Sequence, residues 1–441
     1  MRIGFAKSDI TPRVGVELCG FGPYCCRHSV AVRDRLWARA MAVEHGGTQV
    51  LLVSCDLISV DLPITRRVRR IVSDATGIAP EAIMVHCTHT HSGPATSLHI
   101  GWGAVDEPYV ETLPQRIARA CIEAAGRMEK AALSHAEAPC EGIALNREYD
   151  RDAPPLEEVL RDTWRPAKPE LTDTTCHVLR ADAGGRTIGF VSCFGCHPVV
   201  CCAEGRHIHG DFCGVATNLL EREHPGSVGL FLQGALGDVN TCVVHKPEKE
   251  SLEALDVIAA RYANAVRDGL ARAQPLDVDA VRHCLRQATF TCKDWPVDKL
   301  ESMLAEKEAR VQAPDATDDS ARMDTVHVVA LRRLIAKAQG DESLQPTTEV
   351  QGFRLGPVAI LASGFEIFQA VKNDINAAAR SPIPLVAGLT NDSSGYAPDR
   401  ATTARGGYAA DFVPLMIGTL PLANIHDELV AALLDLERGL Y

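Results

Sequence analysis

Two short apolar runs separated by one amphipathic helix constrain the fold of this chain most strongly. Residues 48–54 (TQVLLVS) and 83–85 (IMV) contain apolar runs of the kind that forms buried strands. Between them, residues 63–75 place apolar side chains at helical spacing with arginines on the other face, and Gly77 marks the end of the helix. A strand, a helix and a second strand in this order predict an α/β fold with a parallel sheet core.

The second apolar run leads directly into a group of histidines. Residues 83–94 read IMVHCTHTHSGP, and the final Gly-Pro pair stops regular structure. In an extended backbone His89 and His91 point the same way, because side chains repeat with a period of two. One imidazole can therefore hold a metal ion while the other faces the same cavity. The alternative is a polar loop with incidental histidines, but three histidines in six residues, out of sixteen in the chain, argue against it.

Other apolar runs also end on side chains that bind metals. His197, Asp238, Glu366 and Tyr396 each follow such a run. Ligands of open α/β sheets bind at the carboxyl ends of the strands, so we expect these side chains to converge. An imidazole pair and a carboxylate form an ordinary zinc set with an open position for water. Zinc would lower the pKa of that water and polarise a carbonyl, and His91 could relay the proton.

Each of these residues also has a structural interpretation. His197 precedes a proline and can simply cap a strand, and Glu366 opens a helix, where the helix dipole favours a carboxylate in any case. Tyr396 follows a glycine, as turn aromatics often do. Asp56 and Asp238 lie at strand ends, where they could orient the histidines by accepting hydrogen bonds.

Composition excludes several classes of function. The chain has 57 acidic and 45 basic residues among 441, so nucleic-acid binding is not expected. No apolar stretch reaches transmembrane length, and no strongly basic amphipathic helix suggests stable membrane anchoring. The first nine residues contain no apolar segment of a secretory signal, and sixteen cysteines fit free thiols, so a cytoplasmic location is expected.

One cysteine motif supports a different class of protein. Residues 193–197 read CFGCH, which is the C-x-x-C-H pattern of c-type haem attachment and also contains a redox C-x-x-C. A haem or redox protein that uses Cys193, Cys196 and His197 is therefore the alternative. Against haem stand the missing export signal and the apolar strand that runs into the motif.

The motifs together resemble a known family, the neutral/alkaline, non-lysosomal ceramidases and their shorter bacterial relatives. The most specific signals are the THTHSGP segment and a pair of tyrosine motifs near the carboxyl end, and the match runs over nearly the whole chain. The matching segments are ITP at residues 10–12, THTHSGP at 88–94, CHP at 196–198, GDF at 210–212, GDV at 237–239, GYAP at 395–398 and GGY at 406–408.

The resemblance implies a zinc-dependent hydrolase that cleaves amide bonds. By matching position, the Zn²⁺ ligands would be the residues His89, His197, Glu366 and Tyr396. The proton-transferring histidine would be His91. The scissile carbonyl or its oxyanion would be contacted by Arg147 and Tyr408, a role that needs preorganised donors.

Three departures from the family pattern bear on the substrate. Asn240 stands where the family usually has a serine, and Gly364-Phe365-Glu366 replaces Pro-Gly-Glu. Full ceramidases also carry an export signal and a C-terminal β-sandwich. We therefore expect a small soluble substrate with an amide bond, or an ester or lactone, while a true ceramidase acting on lipid is the alternative. The sequence does not indicate an oligomeric state.

The expected architecture follows the same resemblance. We expect an α/β fold of mixed, largely parallel sheets flanked by helices, like the N-terminal domain of the ceramidases and without the β-sandwich. Residues 1–441 would form a single catalytic domain. Within it, residues 293–350 would be a helical insertion, and residues 351–441 a C-terminal subdomain that completes the site.

Overall fold

Short strands and helices alternate along the whole chain. The computed structural model describes residues 1–97, 99–150, 155–314, 317–340 and 342–441. The strands are β1 (Arg2–Asp9), β2 (Ala31–Val32), β3 (Trp37–His45), β4 (Thr48–Cys55), β5 (Ile83–Cys87), β6 (Glu129–Lys130), β7 (Ala132–Pro139), β8 (Ala144–Asn146), β9 (Thr175–Ala183), β10 (Arg186–Phe194), β11 (His207–Ile208), β12 (Val228–Gln233), β13 (Val239–Thr241), β14 (Gln274–Pro275), β15 (Val281–Thr289), β16 (Thr347–Leu355), β17 (Val358–Ser363), β18 (Glu366–Ile367), β19 (Ile383–Ala387) and β20 (Tyr396–Ala397). The α-helices are α1 (Leu62–Thr76), α2 (Glu107–Gly126), α3 (Leu156–Val159), α4 (Asp211–Glu223), α5 (Glu248–Arg272), α6 (Val297–Val311), α7 (Asp318–Gln339), α8 (Gln369–Ala378), α9 (Arg400–Arg405), α10 (Val413–Met416) and α11 (Ile425–Arg438).

Three larger sheets share one hydrophobic core. Their strand orders are β5-β4-β3-β1-β6, β12-β10-β9-β7-β14 and β15-β16-β17-β19. The largest core cluster takes side chains from all three, for example Leu52, Leu230 and Ile360. Phe5 packs so closely on Gly189 that a Cβ there would lie 2.5 Å from the ring. The mixed α/β class expected from the sequence is confirmed.

Each of the three larger sheets contains one parallel pair, and each pair is joined by a crossover helix. The units are β4-α1-β5, β10-α4-β12 and β17-α8-β19. The other neighbours in these sheets run antiparallel, so parallel pairing makes up a smaller share than expected. The reason is the length of the connections: β3 and β4 are joined by Gly46-Gly47 and β9 and β10 by Gly184-Gly185, all with positive φ. Two-residue glycine turns of this kind permit only an antiparallel hairpin.

The crossover helix α1 forms as the sequence predicts. The Asp61 side chain accepts a hydrogen bond from the Ile64 N–H at its start, and Gly77 ends it in the left-handed conformation. Ile64, Val68 and Val72 are buried, so the helix covers the sheet with its apolar side. The expectation that its arginines face outward is wrong for Arg69, which is buried and pairs with Glu349 at 2.6 Å. Among the described residues, no helix is both long enough and apolar enough to cross a lipid bilayer.

The stretch 293–350, for which the sequence predicts a helical insertion, contains α6 and α7. These two helices pack on each other between β15 and β16, and β16 begins at Thr347, inside the predicted stretch. The later segment 351–441 supplies β17 and β19 to the third sheet and α11 against it. The division into one domain with an insertion and a C-terminal subdomain stays a prediction.

A buried ion network ties the first sheet to α4. Arg39 of β3 donates to Asp56 Oδ2 at 2.7 Å and to Glu221 Oε1 at 3.1 Å, and its side chain is 3% exposed. We expect Arg39→Met to lower the free energy of unfolding by about 3–5 kcal/mol, because it leaves the buried Asp56 without its cation and leaves Glu221 with Lys7 alone. Urea denaturation measures this loss. The control is Arg2→Met, whose exposed ion pair is expected to contribute less than about 1 kcal/mol, and equal losses in both variants would contradict the prediction.

Candidate metal centre

His89 is held at the end of β5 by a strained backbone. Its φ is 71°, in the left-handed region that residues with a side chain rarely adopt. The Nδ1 atom lies 2.8 Å from the Ile58 carbonyl oxygen, and the backbone N–H donates to Leu57. Such strain persists only where the surroundings impose it, and it is common at functional sites. The Nε2 atom is turned toward Glu366, 3.5 Å from its Oε2.

His197 reaches the same carboxylate from the second sheet. It follows β10, and its Nδ1 lies 2.6 Å from the Leu236 carbonyl oxygen. Its Nε2 lies 2.9 Å from Oε2 of Glu366, which begins the short strand β18 after β17. The carboxyl ends of β5, β10 and β17 therefore deliver two imidazoles and one carboxylate to a single point.

The protonation states of the two histidines and Glu366 favour the binding of a cation. Carbonyl oxygens only accept hydrogen bonds, so the Nδ1 atoms of His89 and His197 carry the protons, and both Nε2 lone pairs face a carboxylate oxygen. Burial lowers the pKa of His197 to about 4, which keeps its ring neutral. Burial raises the pKa of Glu366, but the adjacent imidazoles outweigh burial and hold it well below its usual value. A neutral imidazole and an ionised carboxylate are the forms that bind metals, so His197 and Glu366 fit a divalent ion.

His91 completes a trio of imidazoles beside this point. Its ring centre lies 4.8 Å from that of His89 and 6.0 Å from that of His197, and the three rings offer ligand atoms within 4.8 Å of one another. Neither ring nitrogen of His91 has a hydrogen-bond partner among the described residues, although both are buried. Gly20 lies against the ring, where a Cβ would come within 2.4 Å of Nδ1. His91 is therefore fixed by packing, and its nitrogens are free for a ligand or substrate.

A cation and two tyrosines lie on the other side of the site. Arg147 donates from Nη2 to the Tyr396 hydroxyl at 2.8 Å and to the Gly237 carbonyl at 2.6 Å. Tyr396 pairs with Glu366 in register between β20 and β18, which places the two residues side by side. The Tyr408 ring centre lies 6.0 Å from that of Tyr396. The structure thus brings all seven residues predicted from the sequence to one site.

These residues surround one cavity of about 310 Å³. Six of the seven predicted residues line it, and His197 lies behind Glu366. Other lining residues come from loops and from the helices α7 and α10, and the sequence did not single them out. They include Phe21, Ile58, His99, Trp102, His245, Met323, Val413, Met416 and Ile417. The cavity therefore combines a polar end at the histidines with largely apolar walls.

Comparison with known proteins agrees with this geometry. The family model described as "Neutral/alkaline non-lysosomal ceramidase, N-terminal" matches residues 1–257. The chain belongs to the neutral/alkaline non-lysosomal ceramidase family. It is therefore a member of a hydrolase family. A search of curated protein sequences found no match.

Solved structures of ceramidases share the fold. A neutral ceramidase from Pseudomonas aeruginosa superimposes with a TM-score of 0.75 at 18% identity, over 100% of this chain and 75% of that one. A ceramidase complexed with C2 gives a TM-score of 0.75 at 17% identity, over 99% of this chain and 74% of that one. At these identities the likeness establishes the fold of this ceramidase-family chain.

The family match covers one part of the site and not the other. His89, His91, Arg147 and His197 lie within residues 1–257, whereas the carboxylate and both tyrosines lie beyond them. Glu366 is placed in the site by its contact with both imidazoles, and the tyrosines by Arg147 and the cavity wall. The position of the remaining site residues is therefore defined by geometry alone.

The aspartates expected to orient the histidines have other partners in this ceramidase relative. Asp56 accepts hydrogen bonds from Arg39 and the Trp37 N–H, and backbone carbonyls orient His89 and His197 instead. Asp238 accepts from the N–H of Gln369 and from Asn146. It thereby ties together segments next to Glu366 and Arg147. The expectation that these two carboxylates bind the imidazoles is wrong, because strand-end carbonyls already occupy both Nδ1 positions.

The cysteine motif does not form a reactive pair. Cys193 and Cys196 are buried in separate core clusters, on different sides of the second sheet. Burial raises the pKa of the Cys193 thiol to about 12 and that of Cys196 well above its usual value. Protonated, inaccessible thiols are poor nucleophiles and poor redox groups. His197 is engaged at the carboxylate, so the haem or redox interpretation gains no support.

Proposed function

We propose that this protein is a zinc-dependent hydrolase that cleaves an amide bond of an N-acyl substrate. The observation that carries the proposal is the meeting of three electron-pair donors. Nε2 of His89, Nε2 of His197 and Oε2 of Glu366 face one another at 2.9 and 3.5 Å from the carboxylate oxygen. Lone pairs at these distances repel one another unless a proton or a metal ion lies between them, and one metal ion can satisfy all three atoms at once. Nitrogen and oxygen ligands in this ratio suit Zn²⁺.

The chain supplies the remaining parts of such a site. The residues that would hold the ion are the two histidines, Glu366 and Tyr396. When bound, zinc supplies a Lewis acid and lowers the pKa of a water molecule toward about 7. His91, with both ring nitrogens free and its ring packed in place, is suited to take a proton and return it to the leaving group.

Arg147 and Tyr408 are assigned to the substrate carbonyl. The Arg147 guanidinium has three oxygen acceptors, which are the Gly237 carbonyl, the Tyr396 hydroxyl and the Asn240 side chain at 3.3 Å. None of these is a carboxylate, so its positive charge stays available to an oxygen that becomes negative during the reaction. Fixed donors of this kind stabilise an oxyanion because no reorganisation is needed.

The substrate is proposed to be a small soluble N-acyl compound. The cavity of about 310 Å³ accommodates a compact molecule, and its apolar walls suit a short acyl group. An ester or a lactone needs the same machinery. True ceramidase activity on lipid is the second candidate, supported by family membership and by the apolar wall of Phe21, Trp102 and Met416.

A substrate panel tests the proposal. Zinc-loaded protein is incubated with short N-acyl amides, the matching esters, lactones and a ceramide in detergent, and the released carboxylic acid is measured. We expect the short amides to be cleaved. Faster turnover of the ceramide would favour the lipid candidate. Equal rates with metal-free protein would refute the dependence on zinc, and release of no acid from any substrate would refute the hydrolase.

The protein is further proposed to work in the cytoplasm. All sixteen cysteines lie within the described residues, and each is a free thiol. Thiols persist in reducing compartments and are oxidised elsewhere. Quantifying free thiols in freshly purified protein, with and without prior reduction, checks this assignment.

A further inference from the structure

A second group of metal-binding side chains lies on the second sheet, outside the cavity. It consists of His135 and Glu137 of β7 and His177 of β9. In the antiparallel pairing Glu137 lies directly opposite His177. His135 precedes Glu137 by two residues and so projects from the same face of the strand. The opposite face of the sheet packs against α5. The three side chains therefore project from the other face, at the margin of the hydrophobic core.

The ligand atoms are already spaced for a small cation. Nε2 of His135 lies 3.2 Å from Nδ1 of His177, and Oε1 of Glu137 lies 3.7 Å from the same Nδ1. Tetrahedral zinc with ordinary bond lengths separates its nitrogen and oxygen ligands by about 3.3–3.5 Å. The two rings are stacked with an interplanar angle of 21°, and the 3.2 Å contact between their nitrogens is a hydrogen bond that a bound metal ion would replace.

The protonation states suit a ligand set rather than an ion pair. Burial, and then the neighbouring His177, lowers the pKa of His135 to about 4, so its ring is neutral at physiological pH. The pKa of His177 is also lowered by burial. Glu137 is 62% exposed at its side chain and supplies a negative charge. Lys372, a cation that helps lower the pKa of His177, is already paired with Asp173.

The buried group of Cys201, His209 and Asp211 shows the contrast. There, Nδ1 of His209 accepts the Asp211 N–H at 3.1 Å, so the neutral ring keeps its proton on Nε2 and has no spare lone pair. Burial also raises the pKa of Asp211 to about 6 and raises that of the Cys201 thiol. The lone pair of His209 is therefore held by a backbone donor, whereas the hydrogen bond between His135 and His177 joins two side chains that can turn toward a metal ion.

We propose that His135, Glu137 and His177 form a second binding site for a divalent transition metal, independent of the catalytic centre. The set of two imidazoles and one carboxylate takes Zn²⁺, with water completing the coordination. None of the three residues lines the cavity. The site would link strands β7 and β9 near the edge of the sheet and stabilise the folded chain in proportion to metal occupancy.

The number of zinc ions bound per chain, measured in single and double variants, tests this proposal. Full-length protein is dialysed against Zn²⁺ and the bound zinc per chain is determined by mass spectrometry. We expect His135→Ala to lose one equivalent while its hydrolysis rate stays unchanged, and His89→Ala to lose a different equivalent together with activity. The double variant should lose both. The control His45→Ala, on β3, should keep the full content.

A second measurement tests the site without relying on alanine variants, which can fold poorly. Glu137→Gln changes an exposed side chain. In protein that also carries His89→Ala, zinc is expected to raise the melting temperature through the second site. We expect Glu137→Gln to reduce this rise. Zinc content unchanged by His135→Ala and by His177→Ala, with no loss of this thermal shift, would overturn the second site. Retention of zinc and activity by His89→Ala would instead contradict the proposed catalytic centre, so the two failures are distinguishable.

Discussion

Replacing Glu366 by glutamine is expected to empty the catalytic metal centre and to lower kcat/KM by more than about 100-fold, beyond the range typical of residues that only support a ligand. The physical reason is local. Oε2 of Glu366 is the one negative atom that faces both Nε2 lone pairs. Glutamine has the same shape, but its NH₂ group can donate to those lone pairs and so stabilise the metal-free form. The variant should therefore fold normally while it loses the ion.

The measurement for Glu366→Gln is zinc per chain after dialysis, together with kcat/KM on the best substrate of the panel. Glu342→Gln serves as the control, because Glu342 is exposed and lies outside the cavity. Urea denaturation of both variants verifies that folding is intact. A glutamine variant that keeps a full equivalent of zinc would show that Glu366 is not a ligand, whatever its activity.

The convergence of the site could be predicted from the sequence because it follows from local periodicity. Apolar runs that end on His89, His197 and Glu366 read as strands with polar carboxyl ends. In the structure these ends belong to β5, β10 and β17, each part of a parallel pair with a crossover helix. A parallel pair fixes the direction of its strands, so the ends of each pair must face the same way. The chemical roles came from the family resemblance and stay predictions.

The walls of the cavity could not be predicted in the same way. Phe21 and His245 have φ of 65° and 55° in irregular loops, where no period links sequence to position. The contact of Glu221 with Arg39 is equally long-range, because it depends on how α4 packs against the first sheet. Periodicity describes which face of an element is buried, but not which loops meet. Sequence reasoning therefore located the reactive end of the site and left substrate shape undetermined.

His91→Gln is expected to separate proton transfer from metal binding. His91 lies among the three imidazoles, and its free nitrogens would also permit a role as a third ligand. The hydrogen-bond partners distinguish a metal ligand from a proton-transfer residue. His89 and His197 each have a carbonyl oxygen at Nδ1 and a carboxylate at Nε2, whereas His91 has neither partner. Metal-bound histidines usually have such a partner on the other nitrogen. We therefore assign His91 to proton transfer.

On this assignment His91→Gln should keep its zinc and lose about 10²–10⁴-fold in kcat, the range for removal of a general acid or base. Glutamine preserves polarity beside Gly20 but cannot accept and return a proton near neutral pH, so the loss should fall on kcat rather than KM. Steady-state kinetics and zinc content measured on the same preparation check this, with His224→Gln, a half-buried histidine outside the cavity, as the control. Loss of zinc in proportion to activity would make His91 a ligand. If amine nucleophiles or small imidazoles added to the His91→Gln enzyme restored turnover, the missing function would be identified as proton transfer.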